Sequence, residues 1–278
     1  MTTVSFNYDF LNRVPVRLRD WNSLELVLVG CGGNGSRMAE SVAQIARVLI
    51  NQGKSVTVTF YDPDTIGREN IPRQRFYDAE LGLNKAQTLA ARWSLRLGVA
   101  IVGVASAFSA RDIHSRHWNA LTVLIGCVDR HESRIALHQC LEANRIDQAP
   151  HIWWLDLGNT ATAGQVVLGS APSEHHLETA FDLTSHCTAL PSPALVYPSL
   201  LQPRPEHVRG ANLSCAELVM LNQQSIAVND QCAAIGCDYL YRLLLGDLFK
   251  FKSEFDTVTG TMQSGWVTRR AVLDAIGC

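Results

Sequence analysis

The chain has 278 residues, of which 47% are hydrophobic and 18% charged, and its formal net charge at pH 7 is −2. This composition is typical of a folded globular protein, and the small net charge excludes a general electrostatic attraction to nucleic acid or to an anionic membrane. The first twelve residues lack the basic and apolar regions of a signal peptide, and no apolar run is long enough to span a bilayer. We therefore expect a cytoplasmic protein without nucleic-acid or membrane partners.

The cysteines are dispersed and show no metal-binding spacing. The chain has eight, at positions 31, 127, 140, 187, 215, 232, 237 and 278. Without a secretory signal a disulfide framework is not expected, so we predict reduced thiols that are mostly buried. There is no Cys-x-x-Cys pair and the histidines form no recognisable metal-ligand spacing, so no zinc is expected.

The first sixty residues predict a βαβ unit. Residues 24–29 form a run that is apolar except for Glu25 and is typical of a buried parallel strand, and glycines follow at once. Apolar residues then recur at helical spacing up to residue 49, and residues 55–61 are rich in β-branched side chains. This order of strand, glycine turn, helix and strand is the beginning of a parallel sheet.

The same alternation continues over the next hundred residues. It predicts helices over residues 84–97 and 134–144, and strands over residues 100–105, 121–126, 152–157 and 165–169. Strands that alternate with helices favour an α/β, Rossmann-like fold, with a mostly parallel, doubly wound sheet and helices on both faces.

The composition changes after residue 170. Six of the ten prolines lie between Pro172 and Pro205 in a stretch of little periodicity, so we predict a long irregular crossover or lid rather than a part of the core. Ser214 and Glu217 fit a capping box at the start of a helix that extends to about residue 245 and could break near Asn229. Residues 255–267 alternate like a late strand or a hairpin.

These patterns divide the chain into four parts that need not be separate domains. They are an N-terminal arm (1–23), a nucleotide-binding core (24–170), a proline-rich crossover or lid segment (171–213) and a C-terminal part of the same domain (214–278).

A glycine-rich turn lies between the first predicted strand and the first long helix. Its sequence satisfies Gly-x-Gly-x-x-Gly, in which the glycines permit a tight turn and a close approach of the backbone to phosphate. The residues of this turn expected to contact a nucleotide are Gly30, Gly32, Gly33, Asn34 and Gly35. Asp62 ends the second strand, where a carboxylate can accept both ribose hydroxyls. These features predict nucleotide binding but do not separate ATP from NAD.

Several motifs farther along the chain are more specific because they occur in a fixed order. They are Asn70-Ile-Pro-Arg73-Gln74, Gly82-Leu-Asn-Lys85, Val128-Asp129 with Arg134, and Gly164-Gln165. With the glycine turn, they resemble the ThiF/MoeB/ubiquitin-activating-enzyme family over residues 24–170, with weaker agreement over residues 214–245. The length and overall pattern are most similar to the ThiF-like component of PRTRC systems, bacterial gene sets that also include a small ubiquitin-like protein.

The resemblance implies a homodimeric adenylyltransferase that uses ATP to activate the C-terminal glycine of a ubiquitin-like or sulfur-carrier-type protein and releases pyrophosphate. The residue types favour the same chemistry, because the phosphates and the leaving pyrophosphate need cations. Arg73 and Lys85 suit this catalytic role, and Asp129 follows a predicted strand, where its carboxylate can hold Mg²⁺. The other residues expected to contact the nucleotide are Asp62, Asp64, Asn70 and Gln74.

The chain departs from the family's pattern at four positions. Glu69 stands where a small hydroxyl residue is usual, Pro72 interrupts the Asn–Arg element, Gly126 replaces an acidic residue and Arg130 replaces an asparagine. These changes leave open a non-catalytic scaffold that binds a nucleotide or a ubiquitin-like protein. An NAD(P)-dependent oxidoreductase is the other alternative, and only the glycine turn and Asp62 favour it.

The resemblance raises two further roles. Some family members transfer the adenylate to a cysteine, and Cys187, beside His186, is the first candidate for such a thioester, with Cys215 second. Cys31 and Cys127 are expected to pack rather than react. Family dimers often complete the site with an arginine of the partner's N-terminal segment, for which the candidates are Arg13, Arg17 and Arg19.

Overall fold

Eight strands form one sheet in the computed structural model, which describes residues 8–113, 119–181, 185–203 and 226–277. They are β1 (Ser23–Val29), β2 (Ser55–Tyr61), β3 (Ile101–Val104), β4 (Ala120–Gly126), β5 (Ile152–Asn159), β6 (Ala163–Gly169), β7 (Lys250–Asp256) and β8 (Thr261–Trp266). Their order is β3-β2-β1-β4-β5-β6-β7-β8. The first five run parallel and the last three are antiparallel. The predicted α/β, Rossmann-like class is confirmed.

The α-helices of the described residues cover both faces of the sheet. They are α1 (Asp9–Asn12), α2 (Gly35–Asn51), α3 (Lys85–Leu97), α4 (His131–Cys140), α5 (Pro193–Val196), α6 (Ile226–Leu245) and α7 (Arg269–Asp274). Helices α2, α3 and α6 pack on one face, and α4 and α5 contact the other. None of the described helices is both long enough and apolar enough to cross a bilayer.

Alternation of side chains along the central strands builds two hydrophobic cores. In β1, Leu26 and Leu28 belong to the core beneath α2, whereas Val27 and Val29 belong to the core beneath α4. All seven residues of β4 are buried. A strand that is covered on both faces needs apolar side chains at consecutive positions, which is why β1 and β4 are largely apolar in the sequence.

Local signals in the sequence set the bounds of α3. The side chain of Asn84 accepts a hydrogen bond from the backbone N–H of Gln87 and caps the helix, and Gly98 ends it with a φ of 64°. The helix predicted from residue 134 begins three residues earlier and ends at Cys140, followed by a 3₁₀ turn.

Helix α6 corrects one prediction, because it continues without a break through Asn229. Asn229 is fully buried, and its Oδ1 accepts a hydrogen bond from Nδ2 of Asn159 on β5, so a tertiary contact satisfies the carboxamide oxygen within the helix. The predicted capping box at Ser214 and Glu217 lies outside the described residues. The late hairpin is confirmed as β7 and β8, which pair antiparallel.

The proline-rich segment is irregular, as predicted, but its described part is not excluded from the core. Cys187 and Leu190 are fully buried, and Val16 of the N-terminal arm forms a parallel bridge with Cys187. The backbone N–H of Cys187 donates to the carbonyl of Pro15, and its carbonyl accepts from the N–H of Arg17. The described part of the proline-rich segment is therefore fixed to the rest of the protein by isolated β-bridges and by buried side chains, and not by regular strand pairing.

Candidate functional site

A cavity of about 670 Å³ lies at the carboxyl ends of β1, β2, β4 and β5. The strand order reverses here, because β2 lies on one side of β1 and β4 lies on the other. In open α/β sheets such a switch point is the usual place for a ligand. The cavity lining includes these predicted site residues: Gly30, Gly32, Gly33, Asn34, Asp62, Asp64, Asn70, Arg73, Gln74, Lys85 and Asp129. Gly35 and Cys187 are not part of this lining.

The glycine turn has backbone contacts that exclude side chains. Gly30 has a φ of +87°, and a Cβ atom there would lie 2.6 Å from the carbonyl oxygen of Cys127. A Cβ atom on Gly35 would lie 1.8 Å from the carbonyl oxygen of Gly30. Gly35 therefore acts by letting the first turn of α2 close over β1, and this packing places the N-terminus of the helix at the cavity. Helix N-termini and glycine turns together favour bound phosphate.

Asp62 is the acidic group at the end of β2, and it is only 5% exposed. One carboxylate oxygen accepts the backbone N–H of Cys31 at 2.6 Å, and the other accepts the backbone N–H of Asp64 at 2.9 Å. Burial raises the pKa of Asp62, while the two backbone hydrogen bonds and nearby Lys85 oppose that rise. The carboxylate is thus oriented before any ligand binds.

Lys85 provides a cation in the cavity wall at the first position of α3. Its side chain is 8% exposed, and Nζ lies 3.1 Å from Oδ2 of Asp64, which is largely exposed. The bend before α3 is fixed by Asn84, whose side-chain Nδ2 donates to the carbonyl oxygens of Asp62 and Asp64. Lys85 is therefore a largely desolvated ammonium group beside the carboxylate turn.

The Asn-x-x-Arg-Gln element forms a short turn against the glycine turn. The buried side chain of Asn70 accepts the backbone N–H of Gly67 at 2.9 Å, and the backbone N–H groups of Arg73 and Gln74 donate to the carbonyl of Asn70. Pro72 is compatible with this turn because these hydrogen bonds use the N–H groups of its neighbours. This arrangement brings Arg73 and Gln74 to the cavity together.

Asp129 follows β4 and is exposed in the cavity wall. Its backbone carbonyl accepts a hydrogen bond from Nη1 of Arg134 at 3.4 Å. Arg134 is 1% exposed, and its Nε lies 3.1 Å from Oδ1 of Asp156, which is fully buried in β5. A buried ion pair beneath the cavity thus holds the backbone that carries Asp129.

Gly126 departs from the family's pattern for a packing reason. It pairs with Asp156 in the parallel register of β4 and β5. A Cβ atom on Gly126 would lie 2.8 Å from Leu137 and from Nε1 of Trp154, and 3.2 Å from the carboxylate of Asp156. The space beside Gly126 is already filled, and the carboxylate in this region comes from the neighbouring strand.

Sequence reasoning missed five polar residues that organise the site. They are Arg37, Asp156, Asn159, Asn229 and Asp230. Asp156 had a usable signal, because it is the one charged residue in the apolar run of β5. The others carry no signal in the sequence, since they meet only when α2, β5 and α6 pack together.

The structure places Cys187 away from the cavity. Its side chain is fully buried, and Sγ donates to the carbonyl of Ala189 at 3.0 Å. Burial raises the pKa of the Cys187 thiol to about 12, which disfavours the thiolate that a thioester would require. This environment does not fit the expected nucleophile. Cys215, the second candidate, lies outside the described residues.

The arginines of the N-terminal arm lie outside the cavity of their own chain. The guanidinium of Arg13 lies 3.9 Å from the ring centroid of Phe10 and also near the rings of Phe249 and Trp266. Arg17 is 3.6 Å from Asp247 in an exposed ion pair. Arg13 is therefore engaged with aromatic rings of its own chain in this structure.

The cavity residues fit Mg²⁺ only as part of a nucleotide complex. Within the described ranges, no three His, Cys, Asp or Glu side chains come together as a metal-binding group. Mg²⁺ is commonly held by one or two carboxylates together with substrate phosphates and water. Asp129, exposed in the cavity wall, supplies one such carboxylate.

The sheet order, the glycine turn and the cavity at the strand ends define a Rossmann-like α/β protein. More particularly, the chain belongs to the ThiF family, whose sequence profile matches residues 10–260. A comparison with curated proteins found no match.

Solved structures of similar fold include PaaA and the MccB of E. coli. MccB with ATP has a TM-score of 0.54 and 16% identity, and the match covers 88% of this chain and 64% of MccB. MccB with MccA has a TM-score of 0.53 and 15% identity over 91% of this chain and 66% of MccB. PaaA has a TM-score of 0.53 and 15% identity over 87% of this chain and 64% of PaaA. The chain thus spans a little under two thirds of these proteins, and at this identity they show the fold.

Proposed function

We propose that this protein binds ATP in the cavity and adenylates the C-terminal carboxylate of a small protein or peptide. One observation carries the proposal: a glycine turn, a buried carboxylate placed to accept ribose hydroxyls, and two cations from separate elements line one cavity. The carboxylate is Asp62, and the cations are Arg73 and Lys85. Membership of the ThiF family and the fold shared with MccB, which has been solved with ATP and with MccA, support the same reaction class.

The proposed step needs binding, orientation and charge stabilisation. A carboxylate oxygen of the substrate forms a bond to the α-phosphorus, the bond to the bridging oxygen breaks, and that electron pair leaves with pyrophosphate. The glycine turn and the N-terminus of α2 would hold phosphate oxygens through backbone N–H groups. Arg73 and Lys85 would stabilise the negative charge that develops on the leaving pyrophosphate.

The acidic groups divide the remaining work. Asp62 would accept the ribose hydroxyls, because its carboxylate is already fixed by the N–H groups of Cys31 and Asp64. Asn70 and Gln74 would shape the phosphate end of the cavity. Asp129 would hold Mg²⁺, which when bound neutralises phosphate charge.

The proposal extends to the partner and the assembly. We propose a small ubiquitin-like protein with a C-terminal glycine as the acyl substrate and a homodimer as the working form, in a bacterial PRTRC-type system. The described part of the proline-rich segment does not line the cavity. Because the Cys187 thiol is fully buried, a reaction that ends in a thioester would require a different cysteine.

The first test is thermal stability with ATP·Mg²⁺ and, separately, with NAD(H). A ligand at about 100 times its Kd stabilises a fold by about 2.7 kcal/mol, which a melting curve resolves. We expect a shift with ATP·Mg²⁺ that is smaller in the Asp129→Ala variant, followed by exchange of labelled pyrophosphate into ATP with a carboxylate substrate. A shift with NAD(H) alone would contradict the adenylation proposal and favour an oxidoreductase. Nucleotide and partner binding without exchange would favour the scaffold.

A further inference from the structure

Glu69 places a carboxylate in the cavity wall, at a position where the family's pattern has a small hydroxyl residue. Its side chain is exposed, and among the described residues it takes part in no ion pair or hydrogen bond. Its acidic neighbours are engaged: Asp62 accepts two backbone N–H groups, and Asp64 lies 3.1 Å from Nζ of Lys85. Asp129 is the group proposed to hold Mg²⁺. Glu69 therefore has no assigned role in the proposed reaction.

Local contacts place the Glu69 carboxylate in the turn that carries Arg73. A Cβ atom on Gly67 would lie 2.2 Å from Oε1 and 2.5 Å from Oε2 of Glu69, so the carboxylate is folded back over the backbone of Gly67. The N–H of Gly67 donates to Oδ1 of Asn70 at 2.9 Å, and the carbonyl of Asn70 accepts the N–H of Arg73 at 3.1 Å. The carboxylate and the guanidinium thus belong to one hydrogen-bonded turn.

The same backbone is also bonded to the segment that leads into α3. The N–H of Ile66, the residue before Gly67, donates to the carbonyl of Leu83 at 2.9 Å, and Lys85 begins α3 shortly after Leu83. Glu69 therefore lies on a stretch of backbone that joins the two elements carrying the proposed phosphate-binding cations.

Acidic groups outnumber basic groups in this part of the cavity lining. Residues 61–85 contribute three carboxylates and two cations to it, which are Asp62, Asp64, Glu69, Arg73 and Lys85. The charge on Lys85 is already opposed by Asp64, whose Oδ2 lies 3.1 Å from Nζ. This wall of the cavity therefore has an excess of negative charge, although it is the wall that would face the phosphates of ATP.

Repulsion by Glu69 depends on the metal state of the nucleotide. Metal-free ATP carries about four negative charges near pH 7, and one bound Mg²⁺ leaves about two. Coulomb energy is proportional to the charge of the ligand, so a fixed carboxylate raises the free energy of bound metal-free ATP about twice as much as that of bound ATP·Mg²⁺. A neutral side chain in the same place would not make this distinction.

We propose that Glu69 is a specificity-determining residue that makes the cavity select ATP·Mg²⁺ over metal-free ATP. This inference rests on the ATP binding proposed above and assigns the metal state of that substrate. Asp129 and Glu69 act in different ways, because Asp129 favours the metal-bound nucleotide, whereas Glu69 repels the nucleotide that lacks the metal. Loss of the Glu69 charge therefore strengthens the binding of metal-free ATP, which is the opposite of the effect of losing a phosphate-binding residue.

The test measures ATP affinity by calorimetric titration, once with EDTA and once with saturating Mg²⁺, in the wild-type protein and in Glu69→Gln. The substitution keeps the size of the side chain and removes its charge. At low ionic strength we expect the Kd for metal-free ATP to fall by about 10-fold and the Kd for ATP·Mg²⁺ by about threefold or less. Binding of metal-free ATP that is detected only in the variant is the same result. The gain for metal-free nucleotide should shrink from ATP to ADP to AMP and as salt is added.

Asp78→Asn is the matched control, because Asp78 is an exposed carboxylate of the next 3₁₀ turn and does not line the cavity. It changes the net charge by the same unit and should leave both Kd values within about twofold. Equal effects of the two substitutions overturn the inference, as do equal gains for metal-free and metal-bound ATP. Weaker binding of metal-free ATP in Glu69→Gln also overturns it, as does metal-free ATP that binds neither protein while ATP·Mg²⁺ binds both. Wild-type protein that binds ATP in neither metal state contradicts the proposed function itself.

Discussion

Asp230 on α6 forms an ion pair with Arg37 on α2, and Arg37 carries that contact into the glycine turn. Nη1 of Arg37 donates to the carbonyl of Gly33 at 2.9 Å and to the carbonyl of Arg73 at 3.0 Å. The side chain of Arg37 is only 6% exposed. One guanidinium thus fixes the phosphate turn and the backbone of the proposed phosphate-binding arginine to each other. Asn229 and Asp230 are adjacent in α6. Asn229 is hydrogen-bonded to Asn159 and Asp230 to Arg37, so one turn of α6 contacts the site through two polar side chains.

Replacing Asp230 with asparagine should weaken ATP binding without removing a residue from the cavity. The nearly buried Arg37 would lose its charged partner, and we expect a loss of about 1–2 kcal/mol in the free energy of unfolding, together with a several-fold higher Kd for ATP. Urea unfolding and calorimetric titration measure the two effects. Asp238→Asn on the same helix is the matched control. Among the described residues Asp238 pairs with Arg242 and Lys250, which are partly exposed, so its substitution should change either quantity little. Equal effects of the two substitutions would contradict a special role for Asp230.

Lys85 should matter for ATP but not for folding. A Lys85→Met variant keeps the length and apolar stem of the side chain and removes the ammonium group beside Asp64. We expect ATP affinity to fall by about 10- to 100-fold, as the loss of a charge-assisted hydrogen bond to phosphate implies. Lys54→Met is the control, since Nζ of Lys54 donates to the carbonyl of Trp21 and does not line the cavity. An unchanged Kd in Lys85→Met would remove Lys85 from the proposed phosphate site.

The ion pair of Arg134 and Asp156 should respond very differently to single and double substitution. Asp156→Asn leaves a buried guanidinium without its counter-charge, so we expect a loss of about 3–5 kcal/mol in the free energy of unfolding. Joint replacement by Asp156→Leu and Arg134→Met removes both charges, so the free energy of unfolding should fall by less than it does with either substitution alone. Asp147→Asn, which breaks the exposed pair with Arg145, is the control and should cost less than about 1 kcal/mol. Additive losses in the double variant would mean that the two charges act independently.

The sequence was sufficient for the parallel half of the fold and for most of the cavity. Apart from Glu25 and Thr122, residues 24–29 and 121–126 are apolar on both faces, and this pattern is produced by burial under helices on each side. The glycine turn, Asp62 and the motif ending at Gln74 were locatable because local backbone geometry demands their residue types. Helix α6 was harder, since Asn229 is unfavourable for an isolated helix and is accommodated only by its contact with Asn159.

The residues that sequence reasoning could not find are those whose partners are distant in the chain. Arg37 and Asp230 are separated by 193 positions, and Asn34 and Asn159 by 125. Neither pair has a spacing or a motif. Arg37 and Asp230 meet only where α6 packs against α2, and Asn34 and Asn159 meet only where the glycine turn contacts the end of β5. Burial of Cys187 in the proline-rich segment was not predictable for a related reason: proline content reports the absence of regular backbone, whereas this burial depends on the N-terminal arm that bonds to Cys187.

Cys187 should be chemically silent in the folded protein. Its thiol is fully buried, and its pKa is raised to about 12 by burial, so little thiolate is present near neutral pH. We expect iodoacetamide to label it only after unfolding, and Cys187→Ser to keep pyrophosphate exchange within about twofold of the wild type. Mass spectrometry of tryptic peptides from native and denatured protein gives the first result. Rapid native labelling that ATP or an acyl substrate accelerates would instead restore Cys187 as a thioester candidate.

As the pH is lowered, nucleotide binding should begin to weaken at a higher pH than it would if Asp62 had the pKa of an exposed aspartate. Burial raises the pKa of Asp62, so in the folded protein this carboxylate becomes protonated earlier as the pH falls. The pKa of Asp62 is higher in the folded than in the unfolded protein, so protonation of Asp62 stabilises the folded protein in the absence of ATP. The same protonation removes a charged acceptor from the ribose site. We therefore expect the ATP-induced melting shift to shrink as the pH falls from 7 towards the raised pKa, with no parallel loss of stability from Asp62 without ATP.

The Asp62→Asn variant isolates this titration from that of ATP itself. Protonation of the γ-phosphate affects both proteins equally, so the difference between their melting shifts reports Asp62. We expect the variant to bind ATP more weakly at pH 7 and the difference to vanish in acid, whereas Asp129→Ala should retain the wild-type dependence on Asp62. A difference that stays constant with pH would mean that Asp62 holds the turn through Cys31 and Asp64 and does not contact the ribose.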